Sequence, residues 1–397
     1  MLNRQLSPTL ERLARSFPVI AITGPRQSGK TTLARALFAD KPYVSLEDPI
    51  ERAFAEEDPR GFLARFAQGA VFDEAQRWPD LFSHLQGMVD EDRTPGRFVL
   101  TGSQQFGLLA GVSQSLAGRV GMTRLLPLAA PELAGVADGT LALDALFWRG
   151  GYPALHTQNV EPLDWFASYV ATYLERDVRQ VLNVQDLGAF QRFLRLCAGR
   201  TGQLLNLSAL AGEAGVTHTT ARAWLSVLES SDVVFLLQPY HRNFGKRLVK
   251  TPKLYFVDTG LACWLLGIRA AEMLPLHPMR GALFENWVVM EHLKQRYNQG
   301  QPADLHFWRD NNGVEADLLF ETPSGQIQTI EIKSGQTPTS DYIRAGQKSA
   351  RFVTEATATP RLIYGGDASF QRSGVDVLSW RTLGATTPPQ QKNNHGP

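Results

Sequence analysis

Residues 24–31 read Gly-Pro-Arg-Gln-Ser-Gly-Lys-Thr, between an apolar run at 17–23 and a helical pattern. In a loop of this spacing successive backbone N–H groups point inward at phosphate oxygens, assisted by the positive end of the following helix. Gly24, Gln27, Ser28, Gly29, Lys30, Thr31 and Thr32 are the expected nucleotide contacts. Lys30 is expected to meet the β- and γ-phosphates, and Thr31 to offer its hydroxyl to Mg²⁺. No Asn-Lys-x-Asp guanine reader occurs, so ATP is expected rather than GTP.

Outward from this loop, apolar runs at 43–46, 70–72 and 98–101 alternate with helical patterns, which predicts an α/β fold with a parallel sheet under helices. Leu2, Leu6, Leu10, Leu13 and Phe17 predict a short amphipathic helix leading in. The run Val71-Phe72 ends in Asp73 and Glu74. Asp73 is expected to orient the Mg²⁺ shell and Glu74 to polarise the attacking water. Thr101, Gly102, Ser103 and Gln104 place hydroxyls at the same sheet edge, where they either sense the γ-phosphate or form a plain turn. Arg119 reads either as an arginine finger, from this chain or a neighbouring subunit, or as a surface cation.

Helical pattern fills 165–195, and residues 204–240 outline a winged helix-turn-helix: helices at 208–215 and 219–229, then an apolar hairpin at 233–237. Arg242, Lys246, Arg247, Lys250 and Lys253 follow without an acid, with Tyr240, Phe244 and Tyr255 interleaved or flanking. Such a stripe suits a phosphate backbone, although Arg222 is the only Lys or Arg of the second helix, and many such modules bind only proteins.

Further on, Glu285 lies in a helical pattern, Asp317 in the strand-like run 314–320, and Glu331 and Lys333 in the run 329–333. Strand alternation puts Glu331 and Lys333 on one face, and a hairpin would bring Asp317 beside them. Asp317 and Glu331 are candidate metal ligands, and Lys333 a candidate to orient water, as metal-assisted phosphodiester hydrolysis requires. Ordinary charge pairs on an exposed hairpin are the alternative.

The 397 residues carry 40 Lys+Arg against 39 Asp+Glu, so net charge points to neither nucleic acid nor an anionic membrane, and any basic site must be local. Two cysteines, Cys197 and Cys263, are too few for a disulfide framework and fit inert core thiols in a reducing cytoplasm. No apolar run approaches the roughly 18 residues of a membrane span, so a soluble cytoplasmic chain without membrane contact is expected.

Gly-Pro-Arg-Gln-Ser-Gly-Lys-Thr, Phe72-Asp73-Glu74-Ala75-Gln76, Leu100-Thr101-Gly102-Ser103-Gln104, Leu116-Ala117-Gly118-Arg119 and Gly150-Gly151-Tyr152-Pro153 occur in that order. Together with Tyr173 to Asp177, Lys253 to Gly260 and Glu331-Ile332-Lys333-Ser334, they resemble a prokaryotic group of AAA+-like ATPases whose C-terminal half has no assigned function. The resemblance implies a P-loop NTPase sheet at 1–135, a helical connector at 136–200 and a winged helix at 201–260. It further implies a domain similar to the PD-(D/E)XK restriction-nuclease fold at 261–384, while the Pro-, Gln- and Asn-rich composition of 385–397 predicts a disordered tail. In that fold Glu285, Asp317, Glu331 and Lys333 stand at the catalytic positions, although no proline precedes Asp317. ATP and Mg²⁺ are the expected cofactors, DNA a candidate partner, and an arginine finger acting in trans would require a homo-oligomer.

Overall fold

The structure is a computed structural model that describes residues 2–103, 115–135, 142–174, 186–240, 250–310, 312–353 and 358–383. Gln104, Glu175 to Asp177, Arg242, Phe244, Lys246, Arg247 and the 385–397 tail lie outside the described residues.

The expected parallel sheet is present. Strands β1 (Val19–Thr23), β2 (Tyr43–Ser45), β3 (Ala70–Asp73), β4 (Phe98–Thr101) and β5 (Val120–Arg124) lie in the order β2-β3-β4-β1-β5. All pairings are parallel. Four of these strands are apolar runs legible in the sequence. The fifth, β5, reads Val-Gly-Met-Thr-Arg, whose alternating burial gives no continuous apolar signal. The leading helix runs Ser7–Ala14 and buries Leu6 and Leu10 completely.

The sheet has an apolar cluster on each face. Phe62, Phe72, Trp78 and Phe98 build one; Ile20, Ile22, Leu33 and Val99 build the other. Burying each such side chain contributes about 1.5–3 kcal/mol. Parallel strands covered on both faces gather their C-terminal ends at one edge, and the loops that follow β1, β3 and β4 emerge there.

Two helices run where the sequence predicts them, Leu207–Ala214 and His218–Ser230. Asn206 caps the first through Ala209 N, Gly215 ends it at φ 77°, and Thr217 caps the second through Thr220 N. Strand β6 (Val234–Pro239) then pairs antiparallel with β7 (Lys253–Phe256). This pair is not a free wing. The end of β6 pairs with β8 (His306–Arg309), so the two strands become one edge of an eight-stranded mixed sheet.

The rest of that sheet is β9 (Glu315–Glu321), β10 (Ile327–Lys333), β11 (Arg361–Tyr364), β12 (Phe370–Arg372) and β13 (Val375–Ser379), in the order β12-β13-β11-β10-β9-β8-β6-β7. The expected hairpin is β9 with β10, in register from Ile327 opposite Glu321 to Ile330 opposite Leu318. The helix Arg280–Asn298 packs against β10. One large apolar cluster runs from Leu126 through Phe193, Trp224, Tyr255 and Trp287 to Leu383, and two smaller ones, around Trp308 and around Leu362, lie on the eight-stranded sheet. Cys197 and Cys263 are buried in the large cluster, and burial pushes the Cys197 thiol up to about 12. Among the described residues no helix is long and apolar enough to cross a membrane.

Candidate functional site

The first site lies at the C-terminal edge of the five-stranded sheet. Gly24 follows β1 at φ 141°, and a Cβ there would stand 2.1 Å from the carbonyl oxygen of Leu125, so only glycine lets the loop pass β5. The loop runs into the helix Lys30–Leu37. The Lys30 ammonium donates to the carbonyls of Gly24 at 3.0 Å and Pro25 at 2.8 Å, holding the loop curled around its position. Burial lowers its pKa to about 8, against the opposing charges of Glu74 and Asp73. Ser28 Oγ is buried without a hydrogen-bond partner.

The two acids after β3 behave differently. Asp73 accepts the Thr31 hydroxyl at 3.0 Å and the Tyr43 hydroxyl at 2.8 Å, and also bonds Thr101 Oγ1. Burial, together with the Asp73 hydrogen bond, pushes the Tyr43 hydroxyl up to about 12. Glu74 sits in the left-handed region at φ 53°, a conformation that costs a non-glycine residue of order 1 kcal/mol and turns its side chain toward the cavity. It accepts Ser103 Oγ at 3.0 Å and Gln76 Nε2. The hydroxyls predicted after β4 therefore touch both acids. A cavity of about 580 Å³ opens beside the loop, lined among others by Lys30, Thr31, Thr32, Glu74 and, from outside the sheet, Arg4 and Pro153.

Sequence reasoning missed Arg4. It is buried, donates to the carbonyls of Ser28 and Leu126 at 2.7 Å each, and pairs with Glu132 at 3.1 Å. Nothing in the spacing of Arg4 separates it from other helix-leading cations. The finger reading of Arg119 fails for its own chain. Its carbonyl accepts Val19 N, at the start of β1, whereas the loop follows the end of β1, and its guanidinium grips Asp90 at 2.7 and 2.8 Å.

A second cavity, of about 690 Å³, lies against the eight-stranded sheet, and its lining includes Lys253, Glu285, Glu315, Asp317, Glu331 and Lys333. The four residues expected to act together do meet. Asp317 accepts Ile332 N at 2.8 Å and lies 3.5 Å from the Lys333 ammonium, which pairs with Glu331 at 2.6 Å. Burial, with Asp317 next, raises the Glu331 carboxyl to about 8. Glu331 Oε2 has no hydrogen-bond partner.

Lys253 is a correction. Expected in a solvent-facing basic stripe, it is buried on β7 with Nζ 2.9 Å from Glu285 and bonded to Glu315. Burial opposes its charge, but Tyr255, Glu285, Asp317 and Glu315 outweigh that and raise its pKa well above the usual lysine value. Tyr255, on the same face two residues on, donates to Glu285 at 2.6 Å. The Lys-x-Tyr alternation was the signal that could have placed both side chains inward. As arranged, the acids do not fit a divalent ion: Glu285 and Glu315 bond Lys253, Asp317 and Glu331 face Lys333, and among the described residues no three metal-ligating side chains converge. The metal-ligand expectation for Asp317 and Glu331 is not met in this conformation.

The two cavities are joined through the chain. Asp258, just past β7, accepts Leu261 N at 3.0 Å, capping the helix Thr259–Leu265, and Gly151 N at 2.7 Å. A Cβ on Gly150 would stand 2.3 Å from that carboxylate. Gly151 in turn accepts Leu128 N at 2.7 Å, and Pro153, two residues on, walls the first cavity. The helix carrying Glu285 binds the same stretch, since Glu291 accepts Ala130 N at 2.7 Å and Lys294 donates to Leu128 O at 2.9 Å.

Residues 16–134 match the AAA domain, and residues 140–272 and 280–383 match two domains of unknown function, DUF8612 and DUF4143. The uncharacterized protein Rv2008c of Mycobacterium tuberculosis is 36% identical over 379 residues, covering 94% of this chain and 82% of that protein. The uncharacterized protein Mb2031c of Mycobacterium bovis is similar to the same extent. The chain belongs to the family of these mycobacterial proteins.

In this AAA-domain protein most of the first cavity's lining lies in the matched AAA segment, with Leu2 and Arg4 ahead of it and Pro153, Ala154, Thr157 and Gln158 from the 140–272 segment. The second draws Lys253 from the 140–272 segment and its acids from the 280–383 segment. Among solved structures, a Walker-type ATPase of Pyrococcus abyssi is similar at 16% identity and a TM-score of 0.46, over 67% of this chain and 96% of that one. AMPPCP-bound DnaA from Aquifex aeolicus is similar at 16% identity and a TM-score of 0.29, over 56% and 85%.

Proposed function

We propose that the chain binds and hydrolyses ATP in the first cavity, and that its nucleotide state controls the second, which handles nucleic acid. The observation that carries this reading is the meeting of Lys30, Thr31, Asp73 and Glu74 at one sheet edge, with Asp258 tying the wall of that cavity to β7. Thr31 and Asp73, hard oxygen donors already 3.0 Å apart, fit Mg²⁺: Thr31 would ligate it and Asp73 would hold its shell. The ion would supply charge neutralisation between the phosphates.

The chain's own groups do the rest. The loop amides and Ser28 Oγ receive phosphate oxygens, and Lys30 leaves the Gly24 and Pro25 carbonyls for the β- and γ-phosphates. Glu74 takes the proton of the attacking water, oriented by Ser103. Thr101, bonded to Asp73, reads whether the γ-phosphate is present. In trans, Arg119 of a second copy remains available as a finger.

In the second cavity Glu285, Asp317, Glu331 and Lys333 are the candidate reacting groups; Lys250 and Arg222, exposed outside its lining, are candidate phosphate contacts. Fluorescence anisotropy with labelled DNA at low salt, with and without ATP, tests this. Binding that changes with nucleotide supports the reading, and no binding in either state defeats it.

The lysine pairing of all four acids favours a second reading, in which the cavity is a scaffold and a protein partner reads the nucleotide state. ATP-dependent partner capture that survives Glu285→Ala and Asp317→Ala would support it. Turnover stimulated by DNA would count against it.

A further inference from the structure

Gln76 closes the block Phe72-Asp73-Glu74-Ala75-Gln76 and stands two residues past Glu74, in the short 3₁₀ turn Ala75–Arg77. Glu74 begins this turn at φ 53°, and its carbonyl accepts Arg77 N at 2.9 Å. Trp78 N donates to Ala75 O at 3.2 Å, and the Trp78 ring is buried in the cluster of Phe62 and Phe72. The backbone under Gln76 is thus fixed on both sides.

The two ends of its amide are treated unequally. Nε2 donates to Glu74 Oε2, the same oxygen that accepts Ser103 Oγ at 3.0 Å, whereas Oε1 is buried with no hydrogen-bond partner among the described residues. A buried carbonyl oxygen without a donor destabilises a fold, so packing alone would favour an apolar side chain of this size. What the amide contributes here is the bond to Glu74.

We propose that Gln76 is a positioning residue for the general base: together with Ser103 it holds Glu74 by Oε2, so that Oε1 is the oxygen presented to the attacking water. The inference rests on the proposed hydrolysis of ATP in the first cavity, with Glu74 as its base.

Three features support it. First, both donors converge on one carboxylate oxygen, no bond reaches the other among the described residues, and Glu74 lines the cavity. Second, the donors come from different elements, the turn after β3 and the residues after β4, so together they fix a carboxylate that a single donor would leave free to swing. Third, an inverted amide would set its oxygen against an ionised carboxylate, so only Nε2 can face Glu74. As the water oxygen bonds to the γ-phosphorus and the bond to the β-phosphate oxygen breaks, the water proton passes to Glu74 Oε1. Oε2 remains an acceptor throughout, and both holding bonds last through the step.

The test measures phosphate release from ATP, affinity for a fluorescent ATP analogue and melting temperature on the full chain, for wild type, Gln76→Met, Glu74→Gln and the double variant. Gln76→Met keeps nearly the same shape and removes the donor. It is expected to melt no lower than wild type and to bind the analogue as wild type does, while kcat falls about 10–100-fold at unchanged KM, the cost of a misplaced reacting group. In the Glu74→Gln background the same substitution should change release by less than about twofold, because a residue that acts through Glu74 then has nothing to position. Gln76→Glu, which sets a like charge against Glu74, should lose kcat at least as far, and it decides the question if Gln76→Met does not fold.

A Gln76→Met chain with the kcat of wild type overturns the proposal while leaving the reading of the cavity in place. A loss of equal size in both backgrounds also overturns it, as does a fall in analogue affinity that accounts for the lost turnover. A wild-type chain that releases no phosphate defeats the underlying reading, and this inference with it.

Discussion

The Asp258 carboxylate accepts the N–H of Gly151 at 2.7 Å, and through that bond the strand that reaches into the second cavity is fixed to the wall of the first. Asp258 also caps the helix Thr259–Leu265 through Leu261 N, so one buried side chain serves two backbone donors.

Asp258→Ala therefore strips a helix cap and orphans a buried amide, a loss of about 2–3 kcal/mol in stability. Urea unfolding should show it, and ATP affinity should fall in the same variant because the Gly150 to Pro153 wall loses its anchor. A variant as stable as wild type with unchanged affinity would mean that the bond joins nothing of consequence.

How much of this was legible beforehand depended on the kind of signal. The phosphate loop, β3 with its acids, and the β9–β10 hairpin are each written in consecutive residues, by a motif or by alternation, so Lys30, Asp73, Glu331 and Lys333 could be placed by position. Strand β5 could not, because Gly121 and Arg124 break its apolar pattern and its pairing with β1 is set by tertiary contact. The surroundings of Arg119 and Lys253 are not legible in sequence for a shared reason. Sequence gives a cation's identity, but only the fold shows that the first faces Asp90 at the far edge of the sheet and the second lies buried between Glu285 and Glu315.

Arg4 gives a second prediction. Its guanidinium satisfies two loop carbonyls, and its partner Glu132 is itself buried, so Arg4→Ala leaves a carboxylate without a counter-charge. Breaking one side of such a pair costs about 3–5 kcal/mol. The melting temperature of Arg4→Ala should fall steeply, and Glu132→Gln in the same chain should restore part of it. Equal melting of wild type and Arg4→Ala would show that the pair is solvated in solution.

The depressed pKa of Lys30 makes both stability and nucleotide affinity depend on pH. With about 8 in the folded chain against 10.5 as the ordinary value, the unfolded chain holds a proton between those values that the folded chain has released. Stability from this group therefore rises with pH across that window. Triphosphate favours the ammonium, so binding above pH 8 must take up a proton, and affinity should fall by up to about tenfold per pH unit. Calorimetry at pH 8.5 in two buffers of different ionisation enthalpy reads the uptake directly. Binding without proton uptake would place Lys30 away from the phosphates.

Glu74 and Lys30 are proposed as the working groups of an ATPase. Steady-state release of phosphate from ATP by wild type, Lys30→Ala and Glu74→Gln, measured alongside binding of a fluorescent ATP analogue, decides their roles. Wild type should turn over, Lys30→Ala should lose both binding and release, and Glu74→Gln should bind as wild type while release falls about 10²–10⁴-fold, the range of a lost general base. Undiminished release from Glu74→Gln, or unchanged analogue affinity in Lys30→Ala, would show that the two residues do not hold these roles.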